Sequence, residues 1–257
     1  MKLALFLICV YVIYGAVMVW LHPRFIYPFL SDDERLSGFE RVSLTAGDGV
    51  EISLQVASGD GPVVLYFMGN AGTISLFEPG LRPLVDAGMH VVALEYRGGA
   101  GRPGRPSEAV LKEDALLAAD YALGLGKPVF VHGFSMGSGL AMHVGANRDV
   151  AGLVLEAPYS KMCRLMAARS FLPACVIPFV QKWDNLALAP QVKAPVLILH
   201  GSADVLIPPS QSVDLASGLR EAQRVIVEGA EHTNTGTDPW ARRIISEFFE
   251  EVVQSFQ

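Results

Sequence analysis

Charged residues are scarce in this 257-residue sequence: they make up 18% of the chain, against 51% for hydrophobic residues. Globular chains are on average about one quarter charged, so the apolar excess must lie in a buried parallel sheet, in a membrane segment, or in both. The formal net charge is −6. This charge argues against nucleic acid or anionic lipid as an electrostatic partner.

Cysteine is also rare. Cys9, Cys163 and Cys175 are too few and too uneven in number to form a disulfide framework, and no cluster has metal-ligand spacing. Cys163 and Cys175 could pair in an oxidising compartment, or they could pack as small reduced hydrophobic side chains. The sequence lacks internal repeats and low-complexity linkers, which predicts a single domain over residues 24–257.

The longest uncharged run lies at the N-terminus, from Leu3 to Leu21. As a helix it would reach about 29 Å, close to the ~30 Å hydrocarbon core of a bilayer. The run is too long for the apolar part of a cleaved signal peptide, and no small-residue cleavage site follows it. A helix buried in a protein core would show polar residues at helical spacing, and this run shows none. We therefore expect an uncleaved single-pass anchor over residues 1–23, with aromatic residues near the membrane interfaces.

The orientation of this anchor depends on few charges. Lys2 lies before the apolar run and Arg24 after it. The acidic run at 32–34 follows, but acidic residues count little in the positive-inside rule. We expect the N-terminus in the cytoplasm and the folded domain on the non-cytoplasmic side.

After the anchor, a hairpin of two short strands gives way to alternating apolar runs and helix-like stretches. Unbroken runs rich in Val and Leu are typical of strands buried on both faces of a parallel sheet. The alternation predicts an α/β fold with a doubly wound, mostly parallel eight-stranded sheet. The strands are expected at Arg41–Leu44, Glu51–Val56, Val63–Phe67, Met89–Glu95, Val129–Gly133, Gly152–Glu156, Val196–Gly201 and Arg224–Val227. The helices are expected at Ser75–Asp86, Glu108–Ala122, Met136–Ala146, Pro209–Leu219 and Pro239–Val253.

One segment, residues 158–190, breaks this alternation with four prolines and an apolar Met/Phe/Leu stretch. It predicts one or two short helices inserted after a strand as a cap. Its apolar side chains are expected to line an acyl-binding surface, although they could equally cover the edge of the sheet. These residues are Met162, Leu165, Met166, Phe171, Leu172, Ile177 and Phe179.

A G-x-S-x-G motif, Gly133–Gly137, stands directly after a predicted strand and before a predicted helix. A serine hydroxyl is a poor nucleophile unless a tight turn exposes it to a base and to the substrate. In this position the motif predicts that Ser135 is a nucleophile. The amide of Met136, at the start of the following helix, is expected to stabilise an oxyanion. The alternative is a glycine-rich turn that only packs.

The partners of such a serine follow it in the order acid, then histidine. Asp204 follows an apolar strand in a Gly-containing loop, at the strand end where α/β sheets place their sites. Glu156, which ends the strand after the nucleophile helix, is the rival acid. His232 lies in the loop before the last helix and is the predicted base. The other histidines, at 22, 90, 132, 143 and 200, lie in the anchor region, in strands or within a helix.

The second oxyanion donor is expected in the loop after the strand Val63–Phe67. That loop is Met68-Gly69-Asn70-Ala71-Gly72, whose glycines allow the backbone to approach a substrate closely. We assign the donor to the backbone N–H of Asn70, with Ala71 as the alternative. A phosphate-binding loop would show the Walker pattern, which is absent.

Together these pieces resemble the α/β-hydrolases of the Bem46-like group, which includes membrane-anchored ABHD13-type and depalmitoylating ABHD17-type proteins. The matching segments extend over about residues 39–254. They are Gly69–Gly72, Glu95–Gly98 with Gly101 and Gly104–Glu108, Gly133–Gly137, Gly201–Asp204, and Glu231-His232. The chain departs from the group at Met68, where a histidine is usual, at Gly99-Ala100, where an aromatic turn is usual, and in lacking an N-terminal cysteine cluster.

The resemblance implies a serine esterase or thioesterase with a Ser135/His232/Asp204 triad, acting on a small-molecule or acyl-chain substrate without cofactor or metal. Two alternatives remain open, since fold does not determine function. One is a non-catalytic, membrane-tethered binding or scaffold module, although such relatives have usually lost a triad member. The other is a serine peptidase of the same fold, which commonly carries a large extra domain.

Overall fold

The fold is dominated by one eight-stranded sheet, seen in a computed structural model that describes residues 1–31 and 35–256. The acidic run used in the orientation argument lies outside the described residues. The strands are β1 (Glu40–Thr45), β2 (Glu51–Ala57), β3 (Val63–Phe67), β4 (His90–Glu95), β5 (Val129–Phe134), β6 (Gly152–Glu156), β7 (Val196–Gly201) and β8 (Ala222–Val227). Their order across the sheet is β1-β2-β4-β3-β5-β6-β7-β8.

The sheet is parallel from β4 through β8, and β2 alone runs opposite to the other seven strands. Every residue of β3, β5, β6 and β7 is buried, as their unbroken apolar runs predict. The predicted mostly parallel, eight-stranded architecture is confirmed.

Eight α-helices accompany the sheet in the described parts of the chain. They are α1 (Lys2–Ile26), α2 (Glu78–Asp86), α3 (Glu108–Leu123), α4 (Gly137–Asn147), α5 (Met162–Ser170), α6 (Asn185–Leu188), α7 (Ser210–Gly218) and α8 (Pro239–Gln254). Side-chain alternation along β5 shows that helices cover both faces. Phe130 contacts Phe248 and Phe249 of α8, whereas Gly133 faces Gly137 and Ala141 of α4.

The N-terminal helix α1 is 25 residues long and apolar enough to cross a membrane. It extends three residues beyond the predicted anchor boundary at residue 23, and Pro23 lies within it. Near its C-terminal end His22 and Ile26 are buried against the rest of the protein. The helix therefore packs on the rest of the protein at its C-terminal end and exposes apolar side chains along most of its length.

Residues 158–190 contain α5, α6 and the start of a short 3-10 helix at Ala189–Gln191, in keeping with an inserted cap. The structure joins Cys163 of α5 to Cys175 by a disulfide, with Cα atoms 4.9 Å apart, and leaves Cys9 free and exposed. Of the two states that the sequence left open for this pair, the structure has the bonded one.

Candidate active site

Ser135 lies on the tight turn between β5 and α4. Its backbone φ is +51°, a left-handed conformation that side-chain-bearing residues adopt only under constraint. Its N–H donates to the carbonyl oxygen of Glu156 (2.9 Å), and its own carbonyl accepts from both the amide (3.0 Å) and the hydroxyl (2.6 Å) of Ser138. These hydrogen bonds on both sides of the residue hold the strained turn in place.

The two glycines of the motif are required by close backbone contacts. A Cβ atom on Gly133 would lie 2.5 Å from the carbonyl oxygen of Gly137, and one on Gly137 would lie 2.1 Å from the carbonyl oxygen of Phe67. Any side chain at either position would push α4 away from β3 and β5. The glycines therefore allow the helix to start directly behind the serine.

Two loops at the carboxyl edge of the sheet bring Asp204 and His232 to this turn. Nε2 of His232 lies 2.9 Å from Oγ of Ser135, and Nδ1 lies 2.7 Å from Oδ2 of Asp204. Asp204 is 4% exposed and Ser135 is 6% exposed. The three side chains, 97 and 28 residues apart along the chain, form one hydrogen-bonded line.

The environment of Asp204 keeps it ionised. Burial alone would raise the pKa of its carboxyl group, but hydrogen bonds from His200, His232 and the Ile207 amide outweigh burial and hold the pKa well below its usual range. The amides of Leu206 and Ile207 both donate to Oδ1, at 2.9 and 2.8 Å. This leaves Oδ2 directed at His232, so the carboxylate is fixed in orientation as well as in charge.

Glu156, the rival acid, has a different partner. Its Oε1 lies 2.5 Å from Nε2 of His132, and both side chains are buried. Nε2 of His200 donates to the carbonyl oxygen of Ile207 (2.8 Å) and lies 3.3 Å from Oδ2 of Asp204. His132 and His200 are therefore neighbours of the site, while only His232 reaches Ser135.

The predicted oxyanion donors lie close to the serine. Asn70 and Met136 line the same cavity as Ser135, whereas Ala71 does not. Within the described residues, the backbone amides of Asn70 and Met136 have no hydrogen-bond acceptor. The carbonyl of Met68 accepts a hydrogen bond from the Tyr96 hydroxyl at 2.7 Å. Tyr96 directly follows β4, so this bond supports the loop that begins at Met68, the position where the Bem46-like group usually has a histidine.

A cavity of about 430 Å³ opens beside Ser135. Five of the cap residues predicted to form an acyl surface line it: Met162, Leu165, Met166, Leu172 and Ile177. The prediction is wrong for Phe171 and Phe179, which are 84% and 90% exposed. The backbone takes left-handed conformations at both positions, and the adjacent Leu172 and Val180 occupy the inward places instead.

Sequence reasoning missed the other wall of this cavity. It is formed by α1, through side chains that include Met18, Val19 and Phe25. An apolar helix has no pattern that distinguishes a side chain facing a cavity from one facing lipid, so only the packing of α1 on the cap reveals these residues.

The chain is similar to several known proteins. Residues 167–252 match the family described as TAP-like protein, Abhydrolase_4. An uncharacterized protein of Mycobacterium tuberculosis is 31% identical over 184 residues, which cover 69% of this chain and 65% of that protein. Protein bem46 of Schizosaccharomyces pombe is 30% identical over 68% of this chain and 64% of its own length.

The chain belongs to the α/β-hydrolase superfamily. It is also 28% identical to lysophosphatidylserine lipase ABHD12 of Xenopus tropicalis, over 63% of this chain and 48% of that enzyme. These relatives are matched over only about half to two thirds of their own length.

Solved structures share the hydrolase fold at lower sequence identity. The Pyrococcus furiosus esterase Pf2001 superposes with a TM-score of 0.69 at 18% identity, covering 86% of this chain and 97% of that one. A bacterial membrane phospholipase A superposes with a TM-score of 0.65 at 18% identity, covering 98% and 99%. At this identity the likeness supports the fold alone.

Proposed function

We propose that this α/β-hydrolase is a serine hydrolase that cleaves a carboxylic ester or thioester of an acyl substrate, with Ser135 as nucleophile. The observation that carries the proposal is the position of the His232 imidazole, 2.9 Å from the serine oxygen and 2.7 Å from the Asp204 carboxylate. A histidine held in this way can accept the serine proton while the carboxylate stabilises the imidazolium that forms.

The reaction proceeds in two halves. The serine oxygen bonds to the acyl carbon as its proton passes to Nε2 of His232, and the imidazolium then protonates the leaving alcohol or thiol. A water molecule next attacks the acyl-serine ester, its proton again passing to His232. The collapse of that intermediate returns the proton to Ser135 and releases the carboxylic acid.

The amides of Asn70 and Met136 are the oxyanion donors in this proposal. Both residues face the cavity beside the serine, and neither amide is used by an acceptor in the described chain. A donor that is already oriented needs no reorganisation when negative charge develops on the substrate oxygen, and one such donor is worth about 10²–10³ in kcat.

The cavity favours an acyl chain as the substrate. At about 430 Å³ it lies towards the small end of the ~300–1,000 Å³ range of ligand pockets, and its walls are mainly methionine and aliphatic side chains. A single apolar chain fits such walls better than a peptide does. The lysophosphatidylserine lipase activity named for the ABHD12 relative is consistent with a single-chain lipid.

We also propose that α1 is an uncleaved anchor. Met18, Val19 and Ile26 of this helix line the cavity, so removing α1 would strip one wall from the site. A leader that is removed by cleavage could not form a wall of the cavity in the mature protein.

Labelling with a fluorophosphonate tests the activated serine. The wild-type protein should label and Ser135→Ala should not, whereas Ser246→Ala, a change at an exposed serine of α8, should label. If the folded wild type fails to label, the serine is not activated, and a membrane-tethered binding module becomes the better description.

A further inference from the structure

The cap carries an uncharged segment that the active site does not explain. Residues Phe171–Val180, here called the cap tip, contain ten consecutive residues without a charged side chain. Three large apolar side chains in it, those of Phe171, Val176 and Phe179, are 84%, 78% and 90% exposed. Soluble monomers rarely expose apolar side chains in such a cluster unless another apolar phase covers them.

The cap tip lies against the membrane-length helix. The Tyr11 hydroxyl donates to the carbonyl of Phe171 and the Tyr14 hydroxyl to the carbonyl of Ser170, both at 2.9 Å. Measured along the helix, these tyrosines lie about 10–15 Å inside the uncharged run that ends at Leu21. With α1 across a bilayer, the cap tip lies in the hydrocarbon beside the helix. A tilted helix would hold the cap tip at a smaller depth than an upright one.

The backbone of the cap tip is suited to a medium without water. Pro173 and Pro178 have no N–H to satisfy. The ammonium group of Lys182 donates to the carbonyls of Ala174 (2.9 Å) and Ile177 (2.6 Å). Unpaired backbone groups are costly in lipid, so pairing with tyrosine hydroxyls and a lysine is what insertion requires.

The cavity lies between the cap tip and α1. Met18, Val19 and Phe25 line it from α1, Leu172 and Ile177 line it from the cap tip, and Ser135 is also in its wall. The Cys163–Cys175 disulfide packs with Val19 at this junction and ties the cap tip to α5. A chain that moved from the leaflet between the two walls would reach the nucleophile without crossing water.

We propose that the cap tip inserts into the hydrocarbon of the same bilayer as α1, and that the substrate is a single-chain lipid whose acyl chain enters the cavity from the leaflet. This inference rests on the proposed anchor and hydrolase. Lipid covers the exposed apolar side chains of the cap tip, because the neighbouring helix α1 holds the cap tip at membrane depth.

Insertion can be measured without activity. The full-length protein with Cys9→Ser receives one probe site, Phe179→Cys, or Phe256→Cys as the matched control. Phe256 is 64% exposed and lies beside the starts of β6 to β8, at the edge of the sheet opposite the site. Each variant is labelled with nitrobenzoxadiazole and reconstituted in phosphatidylcholine vesicles, with or without doxyl-labelled phosphatidylcholine.

We expect doxyl lipid to quench the probe at position 179 at least about threefold more strongly than the probe at 256, as for a side chain buried in acyl chains. The proposal is overturned if aqueous iodide reaches both probes equally. A second outcome also overturns it: the probe at 179 is shielded from iodide but is not quenched by doxyl lipid, and the shielding increases with protein concentration. A second copy of the chain would then cover the cap tip.

Activity provides the second readout. Phe179→Asp should lower kcat/KM for a monoacyl phosphatidylcholine in vesicles by about tenfold, because the charge opposes insertion. Hydrolysis of soluble p-nitrophenyl acetate should stay within about twofold, and Phe256→Asp should change neither. Equal loss on both substrates would contradict lipid entry. A wild type that does not label with fluorophosphonate would instead refute the hydrolase, while the quenching result would still decide insertion.

Discussion

Replacing Asp204 with asparagine should invert the tautomer of His232, the proposed general base. The Leu206 and Ile207 amides donate to Oδ1 of Asp204 at 2.9 and 2.8 Å. In the Asp204→Asn variant these two donors will hold the amide oxygen of the new side chain. Its NH₂ group then occupies the place of Oδ2, 2.7 Å from Nδ1 of His232.

An NH₂ group at that position can only donate, so Nδ1 must become the acceptor and Nε2 must carry the proton. The imidazole then presents N–H to Ser135 and cannot remove its proton. The same exchange in the serine protease triad costs about 10⁴ in kcat, which corresponds to about 5.4 kcal/mol of lost transition-state stabilisation. The folded structure should survive, because both amide donors keep an acceptor.

The assay is hydrolysis of p-nitrophenyl butyrate, with kcat and KM measured separately for wild type, Asp204→Asn and Asp204→Ala. We expect a loss of about 10³–10⁴ in kcat for asparagine with KM little changed. ¹⁵N chemical shifts of His232 should report the inverted tautomer. Asp204→Ala, which also removes the acceptor of the two amides, should lower the melting temperature further than asparagine does. An asparagine variant that keeps kcat within about tenfold would refute the proposed role of the carboxylate.

Three further results are expected. Gly137→Ala places a Cβ atom 2.1 Å from a β3 carbonyl oxygen. In urea melts it should lower the free energy of unfolding by about 1–3 kcal/mol, and in ester assays it should lower activity by about 10²-fold. Unchanged values would mean that the contact relaxes freely. Arg97→Met leaves the buried Asp114 carboxylate unpaired and should cost about 3–5 kcal/mol, whereas Arg148→Met, which breaks a more exposed pair, should cost less than about 1 kcal/mol; equal costs in urea melts would contradict the burial argument. The folded pKa of Asp204 lies below its unfolded value of about 3.9. The stability that its ionised form contributes is therefore present above that pH and is lost as pH falls towards the folded pKa. The difference between the melting temperatures of wild type and Asp204→Asn should shrink progressively as pH falls below about 4.

Most of the sheet was predictable because its strands are buried on both faces. Such strands appear as short, unbroken apolar runs, and β3, β6 and β7 begin and end at the predicted residues. The turn that carries Ser135 was predictable for a related reason, since contacts shorter than 3 Å behind Gly133 and Gly137 leave no room for any other residue.

The cap was predictable only in outline. Its prolines indicate an insertion, but which apolar side chains face inward depends on where the backbone reverses direction. Left-handed turns at Phe171 and Phe179 send those rings outward and leave Leu172 and Val180 inside. The pairing of Cys163 with Cys175 depends in the same way on the fold of the segment between them.

What the sequence determined by itself is the order of the strands along the chain, the serine motif and the chain order of the three proposed catalytic residues, because each is written in local patterns of burial or glycine. The tertiary structure decided how close these residues come: His232, the base that the sequence predicts, lies 2.9 Å from the serine oxygen because its loop meets the serine turn at the sheet edge. It also decided that α1 forms a wall of the cavity, since an apolar helix carries no local signal of which surface it will contact.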